Sequence, residues 1–121
     1  MKTAYAVTAN SGLDSDIDAR FGRATGFLIV DDATGNQQYI SNEQNLNAPQ
    51  GAGIQAAQHI LNSGAEALAV PHCGPKAFKV LSAGQVKIYL VASGKVSEVS
   101  QAITAGKYNA ATQADVEGHW E

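Results

Sequence analysis

The feature that most restricts the fold is a change of period at Gly51. Before it, apolar residues come in short runs. Thr3 to Ala9 holds Tyr5 and Val7 among small residues, and Gly26 to Asp31 is a continuous apolar run. Asp32 to Asn36 then forms a turn, and Gln37 to Ser41 alternates about Tyr39. These segments predict one strand followed by a β-hairpin. After Gly51 the apolar spacing lengthens to about 3.6 residues, the period of a helix. Ile54, Ala57 and Leu61 fall on one helical face with Ile60 beside them, and Gly64 ends the helix. Ala67 to Val70 reads as a short buried strand. Pro75 suits the first position of a second helix, because its missing N–H would have no intrahelical partner there. Phe78 and Leu81 face inward from that helix and Gly84 stops it. Val86 to Val91 is a further strand, and Val96, Val99 and Ile103 mark a third helix ended by Gly106.

The predicted order is therefore β-β-β-α-β-α-β-α. A hairpin followed by alternating strands and helices implies an α/β fold. Its sheet is mixed and five-stranded, parallel mostly in the second half, with helices on both faces. No linker or internal repeat divides the chain. Residues 1–106 are expected to form the domain and residues 107–121 a C-terminal tail without period, ending near Trp120.

Composition narrows the function. The 121 residues are 45% hydrophobic and 16% charged, which fits a globular domain rather than a disordered chain. The apolar runs are too short to span a bilayer, and the first residues lack a signal-peptide core. The single cysteine cannot form an internal disulfide, so a cytoplasmic location is expected. A net charge of −3 disfavours nucleic acid as the principal partner.

Open α/β sheets bind ligands beyond the carboxyl ends of their parallel strands, where loops lead into helix N-termini. Three loops qualify: Asn10 to Arg23, Asn42 to Gly53, and Pro71 to Lys76. In the third, Cys73 lies just ahead of a helix start, where the helix dipole favours thiolate. His72 adjoins it, Lys76 follows within a turn, and Gly74 permits close approach of backbone N–H groups to an anion or a soft metal. The plainer alternative is a small buried Cys73 and a satisfied loop His72. In the second loop, Gly51-Ala52-Gly53 opens a helix and can cradle an anion or serve tight helix–sheet packing. In the first, Arg20 and Arg23 flank Phe21 and Gly22. Guanidinium groups offer fixed donors to anions, and Phe21 can alternatively plug the core. The spacing of Asp14, Asp16 and Asp18 is that of a calcium loop. Ala19 replaces the required glycine and Thr25 the closing glutamate, so calcium is rejected. One cysteine and three scattered histidines make no zinc pattern. A thiol enzyme would need a histidine and an orienting group around Cys73. His72 is merely adjacent and His59 falls within a helix, so the chain is read as not an enzyme.

Three segments together resemble the dinitrogenase iron–molybdenum cofactor biosynthesis family, in its orange-protein branch. They are Phe21-Gly22-Arg23-Ala24 followed by Phe27 to Asp31, then Gly51-Ala52-Gly53-Ile54-Gln55-Ala56-Ala57, then Gly74-Pro75-Lys76-Ala77-Phe78. The resemblance implies a ribonuclease-H-like three-layer fold without nuclease activity. It also implies non-catalytic binding or carriage of a preassembled molybdenum-containing metal–sulfur cluster. In that branch the cluster is a molybdenum–copper sulfide held without covalent attachment. Members commonly carry Pro-His where this chain has Ala19-Arg20, and histidine where it has Gln50. Arg20 adds positive charge instead, which implies electrostatic retention of an anionic cluster. On this reading Arg20, Arg23 and Lys76 supply charge. Gly51, Ala52, Gly53 and Gly74 supply backbone donors, and His72 and Cys73 contact or ligate metal. The expected partners are the cluster and a protein that receives it, with no nucleic acid and no membrane, around a monomeric chain. The alternative is a metal-free regulatory or protein-interaction module on the same fold, using residues 107–121 as its contact surface.

Overall fold

The structure is a computed structural model that describes residues 1–43 and 51–114. Gln50 and Trp120, singled out above, lie outside the described residues. Five strands form one sheet: β1 (Lys2–Val7), β2 (Gly26–Asp31), β3 (Gln37–Ser41), β4 (Ala67–Val70) and β5 (Lys87–Leu90). Three helices follow the expected order: α1 (Ala52–Asn62), α2 (Pro75–Ala83) and α3 (Val96–Thr104). The strands lie in the order β3-β2-β1-β4-β5. β2 is antiparallel to β1 and β3, whereas β1, β4 and β5 run parallel. The sheet is thus mixed, with its parallel half built from the chain's second half, as the element order requires.

Alternation along the strands sorts the core into two layers. Ala4, Ala6, Phe27, Ile29, Leu68, Val70 and Ile88 face Ala56, Ala57, Ile60, Ala77 and Leu81, so α1 and α2 cover one face. Tyr5, Val7, Leu28, Val30 and Ala69 face Val96 and Val99, so α3 covers the other.

Two readings need correction. In α1 the inward stripe is Ala52, Gly53, Ala56, Ala57 and Ile60, while Ile54 is 38% exposed. Small residues carry the packing of this helix, and the larger aliphatic side chain at its first turn is left in solvent. The segment after α3 is also not loose where it is described. Tyr108 packs against the α3-side core and its hydroxyl accepts the Ala92 N–H at 3.2 Å. The Ala111 N–H donates to the Ile88 carbonyl at 2.7 Å, covering the outer edge of β5.

Topology decides where the loops emerge. Val7 of β1, Gly26 of β2 and Ser41 of β3 share one end of the sheet by register. Val70 and Leu90 close the parallel strands at that same end. The chain therefore leaves β1, β3, β4 and β5 at a single rim, and α1, α2 and α3 present their N-termini to it.

Candidate functional site

The rim is built from the loops that precede the helices. The first leaves β1 at Thr8 and returns beside it: Thr8 N–H donates to the Asp16 carbonyl at 3.1 Å and Asp18 N–H to the Ala6 carbonyl at 2.8 Å. The excursion between contains a 3-10 turn at Gly12–Asp14. It is tied to the β5–α3 connection, because Ile17 N–H donates to the Gly94 carbonyl at 2.8 Å and Val96 N–H to the Ser15 carbonyl at 2.9 Å.

Phe21 then turns inward. It is 4% exposed and its ring lies 5.5 Å from that of Phe27, tilted by 52°. That anchor leaves Arg20 exposed and Arg23 half-exposed on either side. The plug expected of Phe21 and the outward arginines are thus two aspects of one turn. A buried side chain fixes the turn from below. Asn42, wholly buried just past β3, donates through Nδ2 to the carbonyls of Gly22 at 3.1 Å and Ala24 at 2.9 Å, bracketing Arg23. The sequence gives no pattern for this contact.

The same turn touches α1. A methyl group on Gly22 would lie 2.8 Å from the Gly53 nitrogen and 3.0 Å from the Ala52 carbonyl carbon. The first and second loops therefore meet backbone to backbone. Gly51 begins α1 in the left-handed region, at φ 77° and ψ 8°, and its carbonyl accepts the Gln55 N–H at 3.0 Å. The third loop joins them through the core. Cys73 and Ala77 pack in the same cluster as Phe21, Ala56 and Ala57.

The rim thus brings together Arg20, Arg23, Gly51, His72 and Lys76, with Arg20 and Lys76 exposed and the other three half-exposed. It does not present every residue expected there. Ala52, Gly53 and Gly74 are buried, so a ligand at the rim would meet Gly51 and His72 before any of them. Cys73 is 1% exposed and its thiol points to the Gly74 carbonyl at 3.7 Å. This burial favours the plainer alternative, a small side chain packed in the core, over a thiolate offered to a metal. Among the described residues no group of three or more histidine, cysteine, aspartate or glutamate side chains could hold a metal ion. Arg20 also differs from expectation, because its guanidinium is paired with the carboxylate of Asp18 at 3.3 Å. Arg20 therefore contributes directed donors, and Lys76 is an exposed cation at the rim.

His59 sits in the last turn of α1, away from the rim where that helix begins. An open polar groove of about 410 Å³, lined by Lys2, Ile29, Asp31, Asn36, Gln37 and Gln38, lies at the opposite end of the sheet. Its residues bring neither a cationic cluster nor helix N-termini, and the rim remains the candidate site on chemistry. No helix among the described residues is long and apolar enough to cross a membrane.

The fold recurs in known proteins. The chain is 36% identical to the orange protein of Desulfovibrio gigas, whose apo-form structure superposes with a TM-score of 0.91 over 95% of this chain and 96% of that one. A NifB-like Thermotoga protein placed in the DUF35 family is 30% identical, with a TM-score of 0.82 over 97% and 98% of the two chains. An uncharacterised protein of Methanocaldococcus jannaschii is 30% identical over 94 residues, which is 75% of this chain and 79% of the relative. Residues 1–106 match the dinitrogenase iron-molybdenum cofactor family, and the chain belongs to that family.

Proposed function

We propose that this protein binds and carries an anionic molybdenum-containing metal–sulfur cluster, a molybdenum–copper sulfide, without catalysing a reaction. The observation that supports this reading is the convergence of Arg20, Arg23, His72 and Lys76 at one rim of a chain whose net charge is −3. Family membership and the likeness to the orange protein point the same way. The strand order supports the ribonuclease-H-like label, and the extent of the family match supports a domain boundary at residue 106.

The residues present fit a cluster held by charge and hydrogen bonds better than one held by protein ligands. Arg23 and Lys76 supply cationic groups, Arg20 supplies oriented N–H donors, and Gly51 keeps the start of α1 open to an anion. His72, half-exposed beside Lys76's helix, would be the side chain to contact a metal. Opposite charges about 4 Å apart near a protein surface attract by roughly 4 kcal/mol before desolvation, so a few such contacts can retain a multiply charged cluster. An open rim is reached by salt, so retention weakens as ionic strength rises. Such a reversible grip suits transfer of the cargo to a receiving protein in the cytoplasm.

Titration of the apo-protein with tetrathiomolybdate and copper tests the proposal. New visible charge-transfer bands that co-elute with the protein are expected. A spectrum equal to that of the free ions would overturn it.

A further inference from the structure

We propose that Asp18 is a positioning residue that aims the Arg20 guanidinium at the rim ligand, an inference that rests on the cluster-binding reading above. The Asp18 side chain is 4% exposed and that of Arg20 65% exposed. Arg20 engages the carboxylate side-on, with Nε 3.3 Å from Oδ1 and Nη2 3.4 Å from Oδ2. Oδ1 also accepts the Arg20 backbone N–H at 2.9 Å. Asp18 is itself fixed, because its N–H donates to the Ala6 carbonyl of β1 and its neighbour Ile17 is tied to Gly94. An exposed arginine ordinarily samples many rotamers. Here the guanidinium is paired along one edge with a buried carboxylate whose backbone is anchored to β1.

Side-on pairing consumes the Nε–H and one Nη2–H. A guanidinium has five N–H groups, so three stay directed away from Asp18, two of them on Nη1. The buried carboxylate therefore fixes the direction of the donor fork that Arg20, a residue of the rim loop, leaves exposed. This arrangement belongs to this chain's Ala19-Arg20 sequence.

A role in positioning and a role in mere charge balance predict opposite signs. If Asp18 only neutralised Arg20, removing its charge would tighten binding of an anion. If it positions Arg20, removing the charge loosens it. Asp18→Asn keeps an acceptor for the Arg20 backbone N–H while weakening the clamp on the guanidinium. In a titration with tetrathiomolybdate and copper, D18N is expected to weaken binding about tenfold in the wild-type background and to leave it unchanged or tighter in an R20Q background. Equal weakening in both backgrounds, or tighter binding by D18N alone, overturns the proposal.

A second measurement needs no cluster. Nitrogen-15 relaxation at the Arg20 Nε of the full apo-chain is expected to report an ordered side chain in the wild type and a mobile one in D18N. Equal mobility in the two proteins overturns the proposal alone. A wild-type chain that binds no cluster overturns the functional reading, and with it the ligand side of this inference.

Discussion

Single residues hold the rim in shape by contacts that sequence spacing does not advertise. Asn42 is the clearest case. Its amide donates to two carbonyls of the buried turn. Asn42→Ala is expected to cost about 1–3 kcal/mol in denaturant unfolding, since it removes two buried hydrogen bonds. Gly22 works by absence. Gly22→Ala would press a methyl group onto the backbone of Ala52 and Gly53, where no flexible side chain can give way. The first loop would have to lift from α1, with an expected cost of about 1–3 kcal/mol and a matching loss of rim affinity. Sequence reading picked out Gly22 and Gly53 as parts of motifs. It could not show that they touch, because the contact spans thirty-odd residues of chain and leaves no periodic trace. The side-on pairing of Asp18 with Arg20 is local and is hidden for a different reason. There the spacing of three aspartates points toward calcium, whereas burial gives one of them a different task.

Tyr5 carries a prediction of another kind. Burial in the α3-side core pushes its hydroxyl above the ordinary 10.0, the charge of Asp32 adds to the effect, and hydrogen bonds with Ser100 and Thr3 act against it. Above about pH 10 the unfolded chain loses this proton before the folded one does. The folded state then holds more protons, and stability falls with rising pH. The contribution is fully present below the unfolded pKa and disappears as pH climbs through the folded value. Tyr5→Phe should flatten the alkaline limb of a stability–pH curve measured by urea unfolding. A residual slope is expected from Tyr39, which burial also raises.

Elements were legible where hydrophobicity and burial coincide. β2 and β4 fall on the residues that their apolar runs mark, because each strand buries what the run supplies, and β3, exposed or half-exposed throughout, falls on its alternation about Tyr39. α1 breaks that coincidence. Its large aliphatic residues suggest one face, but the helix lies close against its neighbours through Gly53, Ala56 and Ala57, and Ile54 is rotated outward. Alanine and glycine carry little hydrophobic signal, so a stripe built from them is easily outvoted by a single isoleucine. Paired substitutions check the phase. Ile60→Ala removes a wholly buried side chain and should cost about 2–5 kcal/mol. Ile54→Ser, on the exposed side of the first turn, should change stability by no more than about 0.5 kcal/mol. Comparable losses at both positions would place the helix in the wrong rotation. Gly51 is the element's other constraint. Its positive φ is one that alanine tolerates poorly, so Gly51→Ala should cost about 1–2 kcal/mol and perturb the start of α1 where the ligand is proposed to lie.

At the scale of the molecule, the rim and the segment beyond α3 are separable parts. The rim depends on the ends of β1, β3 and β4 and on the first turns of α1 and α2, all within residues 1–106 matched by the family. Residues 107–114 lie along β5, the last strand of the sheet, where the Ala111 N–H pairs with Ile88 and the Tyr108 hydroxyl accepts the Ala92 N–H just beyond the strand. Deleting residues 107–121 strips apolar contact from the α3-side core and bares a strand edge. The expected cost is about 1–3 kcal/mol, seen as a drop of several degrees in Tm. The bonds that hold the Phe21–Ala24 turn and the start of α1 come from Asn42 and Gly51, so the spectrum of the shortened chain with tetrathiomolybdate and copper should match that of the full chain. The two readouts separate the two functions considered for this fold. A cluster carrier loses stability and keeps its cargo. A module that works through its C-terminal segment loses its protein partner instead. If the shortened chain stays folded at the assay temperature and yet forms no cluster bands, the segment beyond α3 is itself part of the binding site, and the division of labour between rim and flank is wrong.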